Sequence, residues 1–211
     1  MQDTFGEWQQ SSFAQQNVQC QDCHMPWQTT ANGTRYRSHR FVGPSDATLL
    51  SQAAVVSVSA TKTRDGQITV QVQVSPGRIG HAFPTGDLFR RLEMRVWLDG
   101  AEQSAQTLGY AREFSDRYEH ITSNVSAFVR RQVRDTRVQP PGSGPAEIQA
   151  LVFHPTALQR ASITLVRWKL EHLLMPSPQA AAQGFGTALN RSTVAEGTAP
   201  IVLTPTQAGS R

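Results

Sequence analysis

The chain's two cysteines stand two residues apart and run straight into a histidine: Cys20-Gln21-Asp22-Cys23-His24. No other feature constrains the fold as much, because C-x-x-C-H is the attachment signature of a covalently held c-type haem. The two thiols add across the porphyrin vinyl groups as thioethers, and His24 supplies the proximal nitrogen to the iron. A segment built around such a group needs little apolar core of its own. Three rival readings are weaker. A zinc site wants four ligands, yet there is no second C-x-x-C, and His39, His81, His120, His154 and His172 show no H-x3-5-H spacing. A redox dithiol wants a βαβ context, which the flanks lack. A disulfide across two residues is uncommon.

Thioether attachment takes place outside the cytoplasm, so the motif implies a periplasmic or extracellular protein. Met1-Gln2-Asp3-Thr4-Phe5 has neither the basic nor the apolar region of a signal peptide. No run approaches the ~18–20 apolar residues of a membrane span. The expectation is an exported chain without its signal peptide, preferably a piece of a longer polypeptide. The positive charge is nearly all arginine, with Lys62 and Lys169 the only lysines. These arginines are scattered and not interleaved with aromatics, which argues against nucleic acid as a partner.

Residues 1–52 and 53–211 read as two kinds of structure, a haem-attachment segment and a β-sandwich domain. Phe5, Trp8, Phe13 and Ala14 suit a short amphipathic helix, and Pro44-Ser45-Asp46 is a helix start ahead of Ala47-Thr48-Leu49-Leu50. In the second part, Ile68, Val70, Val72 and Val74 alternate with glutamines and a threonine, the period of a half-buried strand. Val56, Val58 and Ala60 alternate before them, with Arg64-Asp65-Gly66 as the hairpin turn. Leu92–Leu98, Glu147–Phe153, Ala161–Lys169 and Thr198–Thr204 are further strands, and a short helix is expected at Gln179–Gln183. The fold class expected is mainly β: an antiparallel sandwich of five to seven strands behind a short helical haem segment.

Gly80-His81-Ala82-Phe83-Pro84-Thr85-Gly86 interrupts this pattern. A histidine flanked by glycines and followed by a proline is held stiffly, with room for something bulky. A solvated surface loop is the plainer reading of the spacing alone.

Several of these stretches resemble the extracytoplasmic multihaem c-type cytochromes. Trp8, Ser11 or Ser12, Ala14 and Cys20 to Pro26 fit their W-x-x-S-x-A helix and C-x-x-C-H-M-P motif. Ser38-His39-Arg40-Phe41-Val42-Gly43 resembles their S-H-x-F-x-G element, whose histidine commonly serves as a distal ligand, often to a neighbouring haem. Gly80 to Gly86 resembles the G-H-x-F-P-T-G loop of members with a C-terminal β-sandwich. Arg90-Arg91 and Asp135 to Pro140 fit weaker, later elements. Such proteins carry several C-x-x-C-H motifs and this chain has one. The resemblance therefore implies the C-terminal part of a multihaem protein, or a single-haem relative, with neighbouring haems or haem proteins as partners.

One haem c is expected, attached through Cys20 and Cys23 with His24 as proximal ligand. His81 and His39 are the candidates for the other face, His81 first, and an open iron is the remaining choice. Met94 and Met175 read as core, and His120, His154 and His172 as solvated or polar-face residues. Trp8, Trp27, Phe13, Phe41 and Phe83 are candidates for packing on the porphyrin, and Arg90, Arg91, Arg35 and Arg37 for holding its propionates. The leading function is an electron-transfer cytochrome with bis-histidine ligation and no catalytic residue. The alternatives are an oxidoreductase or small-ligand-binding enzyme with an open iron, and a structural haem module. Apart from Asp22, Arg35 and Arg37, no acid–base pair lies near the motif to support an enzyme.

Overall fold

The computed structural model describes residues 3–122, 125–156 and 162–204. The first part is built of short helices: α1 (Thr4–Gln9), α2 (Ser12–Gln15), α3 (Cys20–His24) and α4 (Ala47–Ser51). A two-stranded ribbon, β1 (Trp27–Thr29) and β2 (Arg35–Arg37), lies between α3 and α4. Each start has a local cause. Asp3 accepts a hydrogen bond from Gly6 N, Ser11 from Phe13 N and Asp46 from Leu49 N, so side chains satisfy amides that a helix leaves unpaired. Such helices are too short to persist alone, and what stabilises them is packing on the second part.

That second part is mainly β, as expected. Among the described residues, eight strands pair into one sheet in the order β7-β6-β5-β9-β10-β3-β4-β8. They are β3 (Ala54–Lys62), β4 (Ile68–Pro76), β5 (Arg91–Leu98), β6 (Gln106–Thr122), β7 (Val125–Asp135), β8 (Ile148–Phe153), β9 (Leu165–Leu173) and β10 (Arg191–Leu203). The sheet curls so that its halves share one core. Ile68, Val70, Val72 and Val74 of β4 and Leu92, Met94, Val96 and Leu98 of β5 are buried in alternation, together with Val166 and Leu170 of β9. Each fully buried side chain of this kind contributes roughly 1.5–3 kcal/mol. Strand β10 joins the halves, running antiparallel to β9 over most of its length and parallel to β3 over Ile201–Leu203. That short parallel pairing was not foreseen in an antiparallel sandwich.

Helices α5 (Ser177–Ala182) and α6 (Thr187–Asn190) fill the link between β9 and β10. Ala161, the expected start of the ninth strand, lies outside the described residues. Strands β6 and β7 are absent from the sequence reading. Beyond Arg112 they pair only with each other, as a projecting ribbon crossed by the ion pairs Arg130–Asp116 and Arg134–Glu113.

Candidate functional site

Helix α3 presents Cys20, Cys23 and His24 to a cavity of about 570 Å³ between the helical part and the sheet. The helix is fixed from both ends. Gln19 N donates to Asp22 Oδ2 (2.8 Å), and Arg37 pairs with Asp22 while donating to Gln21 O (2.9 Å) and Met25 O (3.3 Å). The bond from Gln19 N and the Arg37 guanidinium hold the Asp22 carboxyl below its usual range. The His24 ring is oriented by Nδ1, 2.6 Å from Val42 O, and stacks on Phe41 at 4.7 Å between centroids. Its Nε2 is left to face the cavity, because Nδ1 is the atom engaged. Cys20 and Cys23 are not joined as a disulfide.

His81 arrives from the other side, on the loop between β4 and β5. Its ring lies 6.2 Å from that of His24, centroid to centroid, with the two planes 13° from parallel. Its Nδ1 is engaged with Ala82 O (3.0 Å), so here too Nε2 remains. Burial first, and then the neighbouring His24, lower the His81 pKa.

The loop is tied down at several points. Phe83 and Val138 exchange backbone hydrogen bonds of 2.8 and 2.9 Å. Ala82 N donates to Glu7 Oε2 (3.1 Å), Arg137 Nη1 to Pro84 O (3.3 Å) and Arg112 Nη2 to Gly86 O (2.9 Å). Thr4 and Thr85 join their hydroxyls at 2.6 Å. Gly80 admits the Phe13 ring so closely that a Cβ there would lie 3.2 Å from it.

The structure brings together Cys20, Cys23, His24, His81, Phe41 and Phe83 around this cavity, with Trp8, Phe13 and Arg90. It does not bring in His39 or Trp27. His39 is exposed, and the guanidinium groups of Arg35 (5.0 Å) and Arg37 (4.4 Å) lie over the Trp27 ring on the β1–β2 ribbon. Arg78 lines the cavity beside Arg90, whereas Arg91, Arg35 and Arg37 do not. Met94 is buried in the core, and Met175 is not part of the lining. The side chain of His120 lies outside the described residues.

His172 departs from its reading as a polar-face residue. It is 2% exposed, lines the same cavity and stacks on Phe83 at 6.0 Å. Burial, with Arg90 nearby, lowers its pKa to about 4. The folded chain then holds this ring neutral between pH 6.5 and 4, while the unfolded chain takes up a proton. Lowering the pH through that window is expected to cost roughly 3 kcal/mol of stability through this group. Urea midpoints at pH 7, 5.5 and 4.5 test this: His172→Gln should flatten the loss, and an unchanged slope in the variant would refute it.

No helix among the described residues is long and apolar enough to cross a membrane, and no group of three or more His, Cys, Asp or Glu among them is arranged to hold a metal ion. A pair of facing imidazoles beside two thiols is a different donor set, suited to an iron already held in a macrocycle.

No curated protein matches the chain. Residues 3–69, about a third of it, match the sequence model of the cytochrome c552 family. Among solved structures, the chain is similar to a penta-haem cytochrome c552 from Thermochromatium tepidum. The identity is 21% and the TM-score 0.62, over 94% of this chain and 50% of that one. The chain thus spans about half the length of that structure, and at this identity the likeness is one of fold. Through residues 3–69 and through its fold, the chain is similar to c552 cytochromes.

Proposed function

We propose that this chain is an electron-transfer part of a multihaem c-type cytochrome, holding one haem c between His24 and His81. The observation that carries the proposal is the separation of the two imidazoles. Two imidazole–metal bonds of ~2 Å each, plus the half-width of each ring, put ring centroids roughly 6 Å apart on opposite faces of one metal. The measured 6.2 Å fits. The thiols of Cys20 and Cys23 border the same cavity, which is lined by Trp8, Phe13, Phe41 and Phe83, so the apolar fit holds as well. Bound there, a haem supplies a reversible one-electron iron couple.

The residues around it do the rest. Val42 O and Ala82 O each fix one imidazole by its Nδ1, which would leave each Nε2 to hold the iron. Arg90 and Arg78 border the cavity as partners for propionates. If His24 and His81 both held the iron, no position would remain for a substrate, which would favour electron transfer over an enzyme. The two-part organisation follows: residues 1–52 attach the haem and residues 53–211 bring the distal ligand. His39, exposed and not part of the cavity lining, would be left to serve a haem of a neighbouring unit, a reading supported by the half-length likeness to a penta-haem protein. A periplasmic or extracellular location follows from thioether attachment.

Absorption spectra of the chain, expressed with haem-attachment machinery, test the reading. A low-spin oxidised spectrum and a sharp reduced α-band, both unmoved by carbon monoxide or cyanide, are expected. A high-spin spectrum that responds to those ligands would replace electron transfer with an open-iron enzyme, and the absence of any haem spectrum would end both.

A further inference from the structure

We infer that Glu7 and Arg137 are positioning residues for His81, locking its loop against the segment that carries His24. The inference rests on the reading of these two histidines as axial ligands and deepens it.

The His81 ring is hydrogen-bonded to its own neighbour, Ala82 O (3.0 Å). The position of the ring in space therefore depends on what holds the backbone just after it. Three successive residues there are gripped. Ala82 N–H donates to Glu7 Oε2 (3.1 Å), Phe83 pairs in both directions with Val138, and Pro84 O accepts from Arg137 Nη1 (3.3 Å).

The two side chains doing this are joined to each other. Arg137 Nη2 donates to Glu7 Oε1 at 2.7 Å, and the guanidinium is anchored on Asp135 at 2.6 and 2.9 Å. The Arg137 side chain is 4% exposed and that of Glu7 17%. Charges withdrawn from water to this degree are a poor source of stability compared with apolar replacements of the same volume. Their geometry is another matter. Charge-assisted hydrogen bonds are short and directional, and Glu7 spans the two parts of the molecule, since it stands on α1 while its partners lie on the sheet side. The haem segment is thus registered directly on the backbone that aims the distal imidazole.

The test uses the haem-loaded chain and reads the low-spin fraction, the rate of cyanide association and the urea midpoint. Wild type should be low-spin and slow to take up cyanide. Glu7→Ala and Arg137→Met should raise the cyanide rate about tenfold or more, the scale of one lost charge-assisted hydrogen bond, and added imidazole should restore their low-spin spectra. Glu7→Gln, which keeps an oxygen for Ala82 N–H, should recover most of the wild-type behaviour. The proposal is overturned if Glu7→Ala and Arg137→Met stay within about twofold of wild type, or if Glu7→Gln departs as far as Glu7→Ala. Should Glu7→Ala yield no loaded protein, Glu7→Asp decides, because the shorter carboxylate cannot reach both partners: a faster rate supports the lock and an unchanged one refutes it. His81→Ala separates the two levels of argument. If it opens the iron while the Glu7 and Arg137 variants do not, only the lock fails; if wild type is already open, the ligand assignment fails and the lock with it.

Discussion

Replacing His81 by alanine is expected to turn a low-spin oxidised spectrum into a high-spin one that shifts on addition of cyanide, with the haem still attached. In the proposed arrangement attachment depends on Cys20 and Cys23, and the His24 ring is held by Val42 O and Phe41, none of which the substitution touches. Removing the second imidazole takes away the one group found 6.2 Å from His24 in a nearly parallel plane. Cyanide affinity should rise by more than the roughly 10–100-fold that losing an outer-shell partner produces, since on the proposed reading a ligand itself is lost. The sheet should hold its stability within about 1 kcal/mol, because the half-buried ring takes no part in the hydrophobic core. A variant that stayed low-spin would move the assignment to another residue, His172 in the same cavity or the exposed His39.

Gly77→Ala is expected to lower stability by about 2–3 kcal/mol and to raise the high-spin fraction at the same time. A Cβ on Gly77 would lie 2.2 Å from Gln52 O and 3.0 Å from Ala53 C and Ala54 N. These are backbone atoms, which cannot rotate aside as a side chain can. Gln52 O is also held in place as the acceptor for Arg78 N (2.7 Å), and Gly77 N donates to Ala53 O (3.0 Å). Relief must therefore come from moving the end of α4 or the start of the His81 loop, and either displaces the site. Gly109→Ala is the control: nothing lies within 4 Å of its Cβ position, and a change of at most about 0.5 kcal/mol is expected. Equal urea midpoints for the two variants would refute the argument.

The strands of the core were legible because each has one buried face. Ile68 to Val74 and Leu92 to Leu98 show the two-residue period in sequence and the same alternation in burial. The ribbon of β6 and β7 was not legible, since beyond Arg112 its two strands pair with each other and with no other strand among the described residues, and its charged residues, such as Asp116 and Arg130, pair across it. His172 was misread for a related reason: β9 is covered on both faces near its end, where Glu171, His172 and Leu173 are all buried, so alternation carries no information there. Between His81 and His39 the sequence could rank but not decide, because which loop faces His24 is a tertiary matter. Glu7 gave no local signal at all. Its meaning lies in a partner 130 residues away, and only the presence of Asp135 to Pro140 among the weaker motifs hinted that this stretch had a role.

The two sides of the cavity differ in how much chain must exist before each can form. On the His24 side the deciding bond, to Val42 O, closes a separation of 18 residues. On the His81 side the fixing bonds join Glu7 to Ala82 and Arg137, separations of 75 and 130. Loop closure makes the short set the cheaper and earlier one. In the proposed arrangement Cys20 and Cys23 can therefore be offered for attachment with the proximal ring already aimed, before Glu7 has met its distant partners Ala82 and Arg137. On the proposed reading, attachment of the cofactor and closure of its second face would be separable events, set by how far apart in the chain their fixing residues lie.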